Sequence, residues 1–154
     1  MTVTRIDTVR RLAEFEAWAN EHVLNAVRAA PAESRERALN LLAHVAHGMR
    51  VWHERIRDED SGVGSWEPLT LEQCADELHK QQSAWAELLA SERDLERPIR
   101  YERVGIVHET SLRDIVVHLA FHSHYHRGQI NEALRQAGAD TVNVDFMMFV
   151  REGR

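Results

Sequence analysis

Residues 111–138 read SLRDIVVHLAFHSHYHRGQINEALRQAG, and this stretch decides the fold. Its apolar residues Leu112, Ile115, Val116, Leu119, Ile130 and Leu134 recur at the intervals that build one face of an α-helix. Ser111 followed by Asp114 has the form of a capping box, and Gly138 suits the left-handed residue that closes a helix. Four histidines, His118, His122, His124 and His126, fall within nine positions of it. Each helical residue turns by about 100°, so His118, His122 and His126 form a stripe. From the centre of the apolar face His126 lies about 25° away, His122 about 65°, His118 about 105° and His124 about 135°. His126 and His122 are therefore expected to face inward and His124 to face solvent.

Upstream, helical spacing dominates and only seven glycines and three prolines interrupt it. A first helix is expected from Asp7 to Ala29, with Pro31 beyond its end, and a second from Ser34 to Arg57. The segment DEDSGVGSWEPL then reads as a loop. A third helix starts at Thr70, where Gln73 can complete a capping box, and ends before Pro98. Ile99 to Glu109, IRYERVGIVHE, has β-branched residues around Gly105 and is expected to be extended or a short hairpin. After the fourth helix, VDFMMFVRE forms a last helical turn that packs its Phe and Met residues on the rest. The expected fold class is all-α, a four-helix bundle in one domain over residues 1–154, with no internal repeat or linker.

A formal charge of −6 argues against broad contact with nucleic acid, which needs clustered Lys and Arg, and Lys80 is the one lysine among 19 basic residues. No apolar run reaches the roughly 18 residues of a membrane span. The opening MTVTRIDTVR lacks a signal-peptide core, and Cys74, the single cysteine, cannot form an internal disulfide. The chain is expected to be cytoplasmic, and Cys74 to be a small packing residue.

Two imidazoles four residues apart on an inner helix face are the spacing by which one helix offers two ligands to one metal ion. A lone HxxxH is weak, since hydrogen-bonded core histidines and surface histidines share it. A second ligand source strengthens it: the second helix carries LLAHVAHGMRVWHERI. There His44 lies about 105° from the apolar centre and His47 about 165°, which makes His44 the expected inward residue. Three neutral imidazoles, His44, His122 and His126, would hold a divalent ion and leave a position open, as catalytic rather than structural sites do. No HExxH, nucleophile elbow or phosphate-binding glycine loop is present. Trp18, Trp52 and Trp85 read as core or pocket-wall residues. Arg127 and Gln129 read as helix ties, Gln129 with an option to bond a substrate, and Tyr125 as a surface residue or dimer contact.

These motifs together, with EAWANEHVL in the first helix, HLAFHSHYHRGQI in the fourth and the ending VDFMMFVRE, resemble the DinB/YfiT-like family of metal-dependent enzymes. HxxxHRGQ is the most specific part, because Arg127, Gly128 and Gln129 have no role in the two-ligand argument yet match the pattern. The resemblance spans nearly the whole chain. It implies a four-helix bundle, often dimeric, with the helix-two ligand on His44 and the paired ligands on His122 and His126. The sequence departs from the pattern at His47, where relatives often carry an acidic residue, and in the additional His53 and His124.

The resemblance further implies transfer of a low-molecular-weight thiol to an electrophilic small molecule, since an open cation position favours thiolate over thiol. Zinc is the first choice of metal, with nickel, manganese or iron as alternatives. Bacillithiol, mycothiol and glutathione all stay open as the thiol. Metal-dependent hydrolysis is a second reading, and a non-catalytic metal-binding stress-response protein, a homodimer with a structural site, is a third. A helical bundle without metal is the blandest.

Overall fold

A computed structural model describes residues 5–153 of the chain. In chain order its elements are α1 (Arg5–Ala29), α2 (Glu36–Ile56), α3 (Leu71–Ser91), β1 (Pro98–Arg103), β2 (Ile106–Ser111), α4 (Leu112–Gln136) and α5 (Phe146–Arg151). The chain is mostly helical but not purely so. The extended segment expected before the fourth helix is an antiparallel hairpin, with Tyr101 opposite His108 and Arg103 opposite Ile106. Its two-residue turn, Val104 and Gly105, has φ of 52° and 74°, the left-handed pair that matches strand twist.

The helix ends follow local chemistry. Thr70 and Gln73 form the expected reciprocal capping box at α3. At α4 only half of one forms: Ser111 Oγ accepts from the Asp114 amide at 3.1 Å, while the Asp114 carboxylate turns to Arg113. Ser34 does not start α2; its hydroxyl bonds the Pro31 carbonyl, and the helix begins at Glu36 without a side-chain cap. Gly138, at φ 69°, closes α4 as expected. Its amide meets the Arg135 carbonyl at 3.1 Å and the Ala139 amide meets that of Leu134 at 2.9 Å, the paired bonds of a Schellman motif.

α2 packs between α3 and α4, and α1 packs against the same two helices from the other side. Their shared core includes Val23, Leu24, Leu42, Leu78, Leu112, Ile130 and Leu134, all fully buried. Cys74 lies in it, its thiol pushed up to about 12 by burial, which fits the expected packing role. α5 seals one end through Phe149, edge-on to Phe15 at 5.8 Å, although Phe146 and Met147 stay exposed. Trp18 and Trp85 are buried and anchored, Trp18 Nε1–H on Glu152 at 2.8 Å and Trp85 Nε1–H on the Met49 carbonyl at 3.1 Å.

Arg127 is the expected helix tie. It is 1% exposed and donates to Glu16 at 2.8 Å and Asn20 at 3.0 Å, joining α4 to α1. Burial raises the Glu16 pKa on balance, and the Arg127 charge offsets only part of the rise. An Arg127→Met variant leaves that carboxylate without its cation and is expected to lose about 3–5 kcal/mol at neutral pH. Adding Glu16→Gln removes the stranded charge and restores much of that loss. Urea unfolding of both variants checks this, and a double variant no more stable than Arg127→Met would reject the charge-pairing account.

Candidate metal centre

α2 and α4 run antiparallel with their facing residues in register. His44 stands against His126, with ring centroids 4.6 Å apart, and against His122 at 5.0 Å. One turn on, Gly48 faces His122; a further turn on, Trp52 faces His118 at 5.5 Å. A β-carbon at Gly48 would lie 3.3 Å from Cε1 and 3.5 Å from Nδ1 of His122. A mid-helix glycine costs about 1 kcal/mol relative to alanine, and here the bare backbone makes room for the imidazole.

His44, His122 and His126 each bring a ring nitrogen to within 4.8 Å of the others. Among the described residues this is the set of three or more His, Cys, Asp or Glu groups placed to share an ion. The donor chemistry fits a divalent cation. His44 Nδ1–H donates to the Ser65 carbonyl at 2.7 Å, which leaves Nε2 with its lone pair. His126 Nδ1 meets Gln129 Oε1 at 2.8 Å; with the amide oxygen accepting, Nε2 is again the free nitrogen. His122 has no hydrogen-bond partner among the described residues. Burial, first, and then its histidine neighbours lower its pKa to about 4, and burial also lowers that of His44. Both rings are thus neutral at pH 7, the state a ligand requires.

One orientation inferred from the sequence needs correction. His47 does not face solvent: it is 3% exposed, against 8% for His44. The reason is the 58–69 loop, which folds over that face of α2. His47 Nε2–H donates to the Glu67 carbonyl at 3.0 Å, and its Nδ1 accepts from Arg50, 3.4 Å away. With both nitrogens occupied, His47 holds the loop and stays outside the cluster. Arg50 extends the grip, donating to the Val63 carbonyl at 2.9 Å and to Ser61 Oγ. Gln129 also differs from expectation, because it braces His126 on its own helix and ties no second one. His118 and His124 are exposed, and Tyr125, 65% exposed, lies edge-on to His126.

Gly48 and Trp66 belong to the site and escape sequence reasoning. Trp66 stacks on His44 with centroids 3.6 Å apart and planes 7° apart, while remaining 59% exposed. Its one signal in the sequence is a large aromatic within a Gly- and Ser-rich loop. A separate cavity of about 270 Å³ opens between α1 and α3 beside Ala13, Ala17, Trp85 and Leu89, and none of the clustered histidines lines it.

The DinB family model matches residues 3–153. Protein DinB of Bacillus subtilis strain 168 is 23% identical over an alignment covering 94% of each chain. A crystal structure of a DinB-like protein from Bacillus cereus superposes with a TM-score of 0.65 at 20% identity, covering 83% of this chain and 91% of that one, a likeness of fold. The chain belongs to the DinB family.

The lowered histidine pKa values set a direction for stability. An unfolded chain takes up His122 protons near the ordinary 6.5, the folded one near 4, so between these values the unfolded state holds more protons. Metal-free protein is therefore expected to lose stability as pH falls from 7 toward 4.5. His122→Asn should flatten that decline in a thermal-melt series, and an unchanged slope would contradict the assignment. Gly48→Ala should bring none of the usual gain in helix stability and should weaken zinc binding about tenfold or more by titration.

Proposed function

We propose that this DinB-family chain is a divalent-metal-dependent enzyme whose ion is held by His44, His122 and His126, and that it transfers a low-molecular-weight thiol to an electrophilic small molecule. The observation that carries this reading is the convergence of three imidazoles from two helices, two of them braced through Nδ1, which leaves Nε2 as their free nitrogen. A donor set of three, with no fourth His, Cys, Asp or Glu in the cluster among the described residues, suits a site that admits a substrate atom. Zinc is the proposed ion. When bound it would supply a Lewis acid that favours thiolate over thiol.

The surrounding residues have roles in keeping with that chemistry. Ser65 and Gln129 orient the ligand rings, and Trp66 limits access of water to His44. In this reading His118, exposed and 5.6 Å by ring centroid from His122, accepts the thiol proton. The thiolate sulfur then forms a bond to the electrophilic carbon as that carbon's leaving group departs with its electron pair. The scaffold for this is proposed as a four-helix bundle, and as a homodimer whose natural apolar contact is Phe121 and Tyr125, 71% and 65% exposed on neighbouring turns of α4. No helix among the described residues is long and apolar enough to cross a membrane.

Elemental analysis of untagged protein and a turnover screen test the reading together. Zinc-loaded protein with each candidate thiol and a chromogenic electrophile is expected to outpace metal-free protein. His126→Ala and His122→Ala should lose nearly all metal and rate, whereas His124→Ala, on the outer face, should lose little of either. Equal rates with and without metal would favour a non-catalytic binding protein. An emptied site in His124→Ala beside a full one in His126→Ala would overturn the ligand assignment.

A further inference from the structure

His44, Gly48, Trp52 and Arg55 follow one another at the spacing of a single helix face, so α2 carries one continuous stripe from the histidine cluster to its C-terminal end. At that end Arg55 is treated unlike its neighbours. Arg50 pairs with Glu54 at 3.0 Å and Arg57 with Glu59 at 2.9 Å. Asp60, the acidic group whose field reaches Arg55, spends its carboxylate on the Gly62 amide at 2.8 Å. Among the described residues Arg55 has no ion-pair partner and its guanidinium donates no hydrogen bond. It is held by ring faces instead, 4.6 Å from the centroid of Trp52 and 4.8 Å from that of Tyr101, which β1 delivers to this spot.

Contact with ring faces satisfies the charge in part but leaves the five N–H groups, which lie in the guanidinium plane, directed elsewhere. Burial is the first cause lowering the Arg55 pKa, so its charge has already been drawn partly out of water, with Arg103 adding positive potential beside it. The walls are Trp52 and Tyr101, edge-on to each other at 5.0 Å, and the exposed His118, edge-on to Trp52. A planar guanidinium fork matches a carboxylate through two parallel hydrogen bonds, and a partly desolvated setting strengthens such a pair.

We propose that Arg55, lodged in the corner formed by Trp52 and Tyr101, is the docking point for a carboxylate on the substrate. The span to the reacting end rests on the metal reading above and is taken from the backbone: Arg55 lies seven residues beyond Gly48, which faces His122, and a rise of 1.5 Å per residue sets the two positions about 10 Å apart along the α2 axis. The substrate class is thus a small flexible molecule with a thiol at one end and a carboxylate about 10 Å away. A compact thiol would reach one site but not both.

Two measurements test this. In the first, metal-free protein is titrated with hexanoate and with hexan-1-ol while the Arg55 Nε–H resonance, identified by its loss in Arg55→Gln, is followed by NMR. Hexanoate is expected to move it and hexanol not to; equal responses would overturn the carboxylate site whatever the metal does. In the second, zinc-loaded protein is titrated calorimetrically with 3-mercaptopropionate, 8-mercaptooctanoate and 8-mercaptooctan-1-ol. The long acid should bind about tenfold more tightly than the matching alcohol, and Arg55→Gln should erase that difference while leaving the alcohol unchanged. Arg55→Lys, lacking the fork, should restore only part of it. If 3-mercaptopropionate shows the same advantage as the long acid, the 10 Å span is wrong. If no thiol binds while hexanoate still moves the Arg55 signal, the thiol-transfer reading fails and the carboxylate site stands.

Discussion

The site depends on how closely α2 and α4 approach at Gly48. With hydrogen in place of a side chain there, the His122 ring fits against the α2 backbone, and a β-carbon would meet it at 3.3 Å. This contact sets the register of the whole seam. Once Gly48 faces His122, antiparallel packing places His44 beside His126 and Trp52 beside His118, because each four-residue step on one helix is matched by one on the other. The glycine gives up helix propensity, and the core around Leu42, Leu112 and Ile130 supplies the burial that outweighs it.

The rotation of α4 about its own axis is held from its far side. Arg127 follows His126 directly and points away from it, into Glu16 and Asn20 of α1. Turning α4 to carry His126 out of the cluster would pull a buried guanidinium from both partners. A buried charge is an expensive anchor and a directional one: it tolerates little displacement before the pairing is lost, whereas an apolar contact slides. The side of α4 that carries His122 and His126 is thus positioned by a polar contact on its opposite side.

The 58–69 loop completes the arrangement through side chains of α2. His44, His47 and Arg50 donate to the carbonyls of Ser65, Glu67 and Val63, so a stretch of little regular structure is pinned at alternate residues. One consequence is tautomeric, since the Ser65 carbonyl holds the His44 proton on Nδ1. Another is dielectric: the loop removes His44 from water, and its pKa falls accordingly. The same loop that buries His47 occupies both of its ring nitrogens. Two histidines one turn apart on α2 therefore acquire different roles from their hydrogen-bond partners.

Much of this was readable from residue spacing. The four long helices, the Thr70 capping box, the Gly138 terminus and the inward side of α4 follow from local propensity and from the 3.6-residue period, which act over a few neighbouring positions. The clustering of His44, His122 and His126 was legible for the same reason, with the HxxxHRGQ pattern as a second guide. What the sequence could not determine is everything that depends on contacts between segments distant along the chain. The burial of His47 comes from a loop twenty residues downstream, and the place of Gly48 from a ring on α4. Trp66 on His44, and Arg55 between Trp52 and Tyr101, are likewise products of docking. A helical angle ranks residues against the apolar face of their own helix, but a loop laid over the polar face buries it too, and only the folded chain decides where that loop lies.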